Sequence, residues 1–284
     1  MIDTLNISIK SHRHLTVESL KSINKLPEVI GKYTRLNGDS ISIILKPSFQ
    51  YKNTTSNLSE TIELVKSIED NFNTKAKLLR FDIAYDTNDT LKDNKNIFNL
   101  FLGCLNYIRN SSRSSIGHFK IGLSNKNFKI SNNKLETTIY DSQDKIKRNA
   151  ATRIENRVKR VSSLPFEKAI INDISKYITE LNNITKNIPY FEKSHVIFLI
   201  KEWNENKKEL GYCIDKFINN IDLSGLILTR NILSELLPKI GYTGKTESFI
   251  KNYRRRSPQG LNFVSKNDLN KLITQLKKNA KSIY

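Results

Sequence analysis

Residues 79–86 read Leu-Arg-Phe-Asp-Ile-Ala-Tyr-Asp, and residues 153–159 read Arg-Ile-Glu-Asn-Arg-Val-Lys. Both stretches alternate, and alternation sends successive side chains to opposite faces of a strand. Phe81, Ile83 and Tyr85 then face one way, with Arg80, Asp82, Ala84 and Asp86 behind them. Ile154 and Val158 in the same way oppose Arg153, Glu155, Arg157 and Lys159. Residues 134–141 (KLETTIYD) set Leu135, Thr137 and Ile139 against Glu136, Thr138 and Tyr140. Over 118–123, Phe119, Ile121 and Leu123 oppose His118 and Lys120. Each strand thus offers an apolar face for helices to cover. Its other face carries carboxylates, a tyrosine, a histidine and cations.

Outward from these strands, periodicity predicts further strands over 2–10, 40–47 and 116–123, with the three above spanning 77–86, 134–141 and 151–160. Helical spacing predicts helices over 16–25, 59–72 and 95–109. After Pro165 the pattern is wholly helical, over 166–182, 191–209, 211–220, 227–239, 245–255 and 266–280. The expected fold class is α+β: one sheet covered by helices on one face, followed by an all-helical C-terminal region. The boundary falls at Ser162–Pro165, giving domains 1–163 and 164–284.

Composition narrows the function. The 284 residues include 47 Lys+Arg and 28 Asp+Glu, a formal charge of +19, with 38% hydrophobic residues. That is too apolar for a disordered chain. No run approaches the ~18 uninterrupted apolar residues of a membrane helix. Met1–Leu5 lacks the basic and apolar regions of a signal peptide, so the expected compartment is the cytoplasm, with no membrane partner. Two cysteines, Cys104 and Cys213, support neither a disulfide framework nor a zinc cluster. The surplus charge points first to nucleic acid and second to an anionic surface. It is densest over 145–160 (KIKRNAATRIENRVKR) and 251–256 (KNYRRR).

The acids on the polar face say more than the bases. Asp82 and Glu155 each have an arginine two positions away. Two carboxylates from neighbouring strands suit Mg²⁺ or Mn²⁺, hard cations that also take phosphate oxygens. Arg80, Arg153 and Arg157 would attract a phosphodiester and keep the acids ionised. A tyrosine on that face could attack phosphorus. The plainer reading is an open sheet with one solvated face.

At these residues the chain resembles the gene II-type replication initiator endonucleases of filamentous phages (inoviruses). It is more distantly similar to rolling-circle plasmid initiators of the HUH endonuclease superfamily. The likeness runs in order through Met1–Leu5, Arg80 and Asp82 of 79–86, Tyr140 of 137–141 (TTIYD), and Arg153, Glu155 and Arg157 of 153–159. It covers about 1–165. The resemblance implies an antiparallel HUH-like sheet and a nicking–joining reaction on one strand of a double-stranded origin. Tyr140 would become linked to the 5′ end, freeing a 3′-OH primer. Arg80, Arg153 and Lys145, the first lysine after the tyrosine, would assist. Asp82, Glu155 and His118 would hold Mg²⁺ or Mn²⁺; the superfamily's His-hydrophobe-His pair is absent. DNA contacts would come from Arg157, Lys159, Arg160, Lys251, Arg254, Arg255 and Arg256. The implied partners are the duplex origin, displaced single-stranded DNA, and a helicase and polymerase of a bacterial host. Two rivals are a non-catalytic origin-binding protein or repressor, and a plasmid relaxase or metal-dependent nuclease that uses water.

Overall fold

A computed structural model describes residues 2–10, 35–37, 40–45, 58–110, 127–131, 135–141, 151–159, 164–224, 226–256, 264 and 266–283. The chain is mixed α+β with a helical C-terminal region, as the periodicities predict. Strands β1 (Ile2–Lys10), β2 (Arg35–Asn37), β3 (Ser40–Leu45), β4 (Ala76–Thr87), β5 (Asn127–Ser131), β6 (Leu135–Asp141) and β7 (Thr152–Lys159) form one sheet in the order β2-β3-β1-β4-β7-β6-β5. Every pair with a described register is antiparallel. The helices are α1 (Leu58–Phe72), α2 (Lys95–Asn110), α3 (Phe166–Asn206), α4 (Ile214–Leu223), α5 (Arg230–Lys239), α6 (Thr246–Arg256) and α7 (Lys266–Lys281). Among the described residues no helix is long and apolar enough to cross a membrane.

The chain divides into two compact units. One comprises Met1–Asn88, Lys129–Thr179 and Gln275–Tyr284 and holds the sheet. The other comprises Asp89–Phe128 and Glu180–Thr274, so α2 belongs to the helical unit although it lies between strands in sequence.

In the sheet unit, side chains align in rows across strands. Leu5 stands between Leu45 and Phe81, and Phe81 pairs with Val158, which faces Leu135. Leu5, Leu45 and Phe81 are fully buried. Helix α1 adds Leu58, Val65 and Ile68 to the buried set. The buried Glu69 carboxylate accepts from the Ala76 amide at 2.7 Å and from Lys75 Nζ at 3.0 Å, fixing the turn from α1 into β4. At the other end of α1, the Leu58 amide donates to the Ile283 carbonyl.

The helical unit has its own core, in which Trp203, Phe217, Ile218, Leu233, Leu236, Phe249 and Ile250 are buried together. One expectation fails here: the helices predicted over 166–182 and 191–209 are a single helix, α3, with Pro189 inside it. Proline removes one ladder hydrogen bond. Leu181, Ile184, Ile188 and Phe191 nevertheless stay buried through that stretch, so packing carries the helix past it. Strands β2 and β5 span three and five residues, too few for their alternation to mark them as strands, and both were missed. The helix expected over 16–25 and the strand over 116–123 lie outside the described residues.

Candidate functional site

The register turns the predicted polar face into four rows. Asn6, Arg80 and Lys159 share one row; Thr4, Asp82, Arg157 and Glu136 share the next. Ala84, Glu155 and Thr138 follow, then Asp86, Arg153 and Tyr140. Acids and bases therefore meet both within a row, as at Asp82, Arg157 and Glu136, and between neighbouring rows, as at Glu155 and Arg157.

Arg157 is the hub. Its Nη1 donates to Glu136 Oε1 at 2.6 Å, its Nη2 to Glu155 Oε1 at 2.8 Å and its Nε to Asp82 Oδ2 at 3.3 Å. Arg80 closes on Asp82 from the other side: Nε donates to Oδ1 at 2.9 Å, and Nη2 makes a shorter contact with Oδ2. Lys159 Nζ donates to Glu136 Oε2 at 2.6 Å. Asp82 has no exposed surface. Its burial pushes its pKa up to about 6, a rise that the Arg80 hydrogen bond and charge oppose and the Glu155 charge reinforces.

Beside this cluster the half-buried Tyr140 donates its hydroxyl to Glu155 Oε2 at 3.2 Å. Burial raises the phenol's pKa, and the Glu155 carboxylate adds to that. Tyr140 therefore stays protonated at neutral pH, with a carboxylate positioned to accept its proton. A nucleophile with a base in hydrogen-bond reach is the arrangement that covalent catalysis needs.

Arg153, opposite Tyr140, is buried and turned inward. Its Nη2 donates to Asp3 Oδ1 at 2.8 Å, and its Nε lies 3.5 Å from Asp86 Oδ1. Burial raises the pKa of Asp86, and the Arg153 charge opposes that rise. Asp3 is the member of this group that sequence reasoning missed. Ile2 and Thr4 pair with the consecutive residues Ile83 and Asp82, so Asp3 is the extra residue of a bulge. Strict alternation places Asp3 with Leu5 on the apolar face; only the bulge brings it to Arg153.

The site thus gathers Tyr140, Arg80, Asp82, Glu155, Arg157 and Lys159, with Glu136 tying the last two together. His118, Lys145 and Arg160 lie outside the described residues. Lys251 and Arg255 are exposed on α6, in the helical unit; Arg254 and Arg256 belong to the same helix.

Asp82 and Glu155 have the hard oxygen chemistry that Mg²⁺ or Mn²⁺ prefers. Their lone pairs are otherwise engaged. Both Asp82 oxygens accept from guanidinium groups, and Glu155 accepts from Arg157 and Tyr140. A divalent ion would have to displace Arg80 and Arg157, so the donors do not fit one as arranged. Among the described residues no group of three metal-ligating side chains converges.

No protein-family profile and no curated protein matches the chain. One solved structure is similar, a rolling circle replication initiator protein from Geobacillus stearothermophilus. It matches 56% of this chain and 73% of its own length at 13% identity, with a TM-score of 0.30. A likeness that slight carries no function across.

Proposed function

We propose that the protein is a rolling-circle replication initiator that nicks and rejoins one DNA strand through Tyr140. The observation that carries this reading is the hydrogen bond from the Tyr140 hydroxyl to Glu155 on a face shared with Arg80 and Arg157. In the nicking step Tyr140 Oη forms a bond to the scissile phosphorus and the P–O3′ bond breaks. The phenolic proton passes to Glu155 Oε2, and the departing O3′ takes a proton from solvent water to become the 3′-OH primer. The phosphodiester is conserved as a 5′-phosphotyrosine, so a later 3′-OH can reverse the step without ATP.

Charge on the attacked phosphate grows as the bond forms, and preorganised cations are what stabilise it. Arg80 and Arg157 are partly exposed, at 30% and 25% of their side chains, and stand nearest for that role. Using them would mean drawing them away from Asp82 and Glu155. DNA phosphate would then compete with the carboxylates for the same guanidiniums. A purely DNA-binding sheet would have no use for buried acids between its arginines, because acids repel phosphate.

The test uses supercoiled plasmid carrying the replicon from which the gene comes, with Mg²⁺, with Mn²⁺ and with chelator, resolved on denaturing gels. The reading expects a nick with protein on the 5′ end, absent in Tyr140→Phe. Nicking that survives the substitution would assign attack to water or another tyrosine. No nicking in any arm would leave a DNA-binding protein.

A further inference from the structure

The charges of the helical unit are arranged differently from those of the sheet. Helices α4, α5 and α6 bury Phe217, Ile218 and Ile221, then Ile232, Leu233, Leu236 and Leu237, then Phe249 and Ile250, in one cluster. Helix α5 begins at the Thr229 N-cap, whose hydroxyl accepts from the Ile232 amide at 3.2 Å. It ends at Gly241, whose φ of +88° suits glycine. There the Tyr242 amide reaches back to the Leu237 carbonyl at 3.0 Å, and the Gly241 amide to that of Pro238 at 3.2 Å.

The connection to α6 is built rather than slack. Tyr242 lies against Gly244 so closely that a Cβ there would meet its hydroxyl at 2.6 Å. Its ring then packs edge-on against Phe249, with centroids 5.0 Å apart. Phe249 in turn stacks on Tyr253 at 6.3 Å. Burial and the Asp222 carboxylate raise the Tyr253 phenol. Tyr253, the aromatic within the basic run, is turned toward the core shared by the three helices, where it stacks on Phe249. These contacts fix the rotation of α6 about its own axis.

That rotation decides what α6 shows to solvent. Lys245, Glu247, Ser248, Lys251, Asn252 and Arg255 are exposed. The acid among them, Glu247, is tied to Arg230 at 2.8 Å. What remains is a cationic face with small polar side chains, Ser248 and Asn252, one turn apart. A helix held by two others and joined to one of them through a glycine turn is the frame of helix-turn-helix DNA readers. An α-helix fits the major groove, where Asn reads adenine and Lys or Arg reads guanine.

We infer that α4, α5 and α6 form a helix-turn-helix module whose α6 reads duplex DNA in the major groove, through Ser248, Lys251, Asn252 and Arg255. This goes beyond an electrostatic grip, since it assigns sequence choice to the helical unit. The six residues between α5 and α6 exceed the usual three or four, and Tyr242 supplies the rigidity that a shorter turn gets from its length.

The experiment uses the full chain carrying Tyr140→Phe, so that no cleavage intervenes. Duplexes are selected from a random-sequence pool at physiological salt and sequenced, with and without Asn252→Ala plus Arg255→Ala. The expected result is a defined duplex motif whose preference over random duplex falls about ten-fold or more in the double variant. Lys245→Ala should weaken binding evenly across sequences. Circular dichroism verifies folding, and Ser248→Ala provides a second, milder variant. No enriched motif, a motif unchanged in the double variant, or full competition by random single strands would each overturn the inference. A motif found for a protein that never nicks plasmid would uphold the module and overturn the Tyr140 reading, so the two fail separately.

Discussion

The polar face of the sheet and the outer face of α6 are both rich in basic residues, yet they hold them in opposite ways. On the sheet, Arg80, Arg157 and Lys159 are interleaved with Asp82, Glu136 and Glu155, and each base spends its donors on an acid. On α6, Lys251 and Arg255 stand in solvent, and the nearby acid Glu247 is held by Arg230. The sheet face is close to neutral, so the surplus of +19 must act from elsewhere. Charge that attracts a polyanion from a distance has to be uncompensated. Charge that handles one phosphate during chemistry has to be preorganised. On the proposed function the two regions would divide those tasks.

The contrast can be broken at its strongest point first. Tyr140→Phe should lower nicking by at least about 10⁴-fold, as removing a nucleophile does, while duplex binding measured by filter retention stays unchanged. A parallel loss of binding would mean that the two regions are not separate. Next, Arg153→Met strands the Asp3 and Asp86 carboxylates beside each other. Removing one partner of a buried ion group costs about 3 kcal/mol, readable in urea denaturation. That loss should shrink as the pH falls and the stranded acids protonate.

A smaller effect comes from Asp82. Its folded-state pKa of about 6 lies above the unfolded value near 3.8, so the folded chain binds the proton more tightly. Stability from this group therefore rises as pH falls through 6 and levels off near 4. Between pH 7 and pH 5 the gain is about 1 kcal/mol, and Asp82→Asn should abolish that slope. Smallest of all, Lys245→Ala should flatten the log–log salt dependence of DNA binding by about 1, with melting temperature unmoved.

Much of this was legible from alternation. The strands over 79–86 and 153–159 show a true period of two, and the facing of Asp82, Tyr140 and Glu155 follows from it directly. What sequence could not supply was register and occupancy. Which acid meets which arginine depends on strand order β4-β7-β6, and that order places Arg157 among three carboxylates. The expectation of acids open to a divalent ion rested on their shared face and on the family resemblance, neither of which reveals that arginines hold their oxygens. Asp3 was hidden because a bulge reverses its face, and the continuity of α3 because burial overrides the local penalty of Pro189. In the helical unit the basic run was plain, but its rotation was set by Tyr242 and Phe249, whose packing no periodicity announces.

On the proposed function Tyr140 is the group joined to DNA, with Glu155 taking its proton. The direct measurement is to trap the covalent protein–DNA adduct on the replicon plasmid, digest both components and identify the modified peptide by mass spectrometry. The expected result is a nucleotide 5′-phosphate on Tyr140, with adduct yield sharply lower in Glu155→Gln. An adduct on any other tyrosine, or efficient nicking that leaves no adduct, would contradict it.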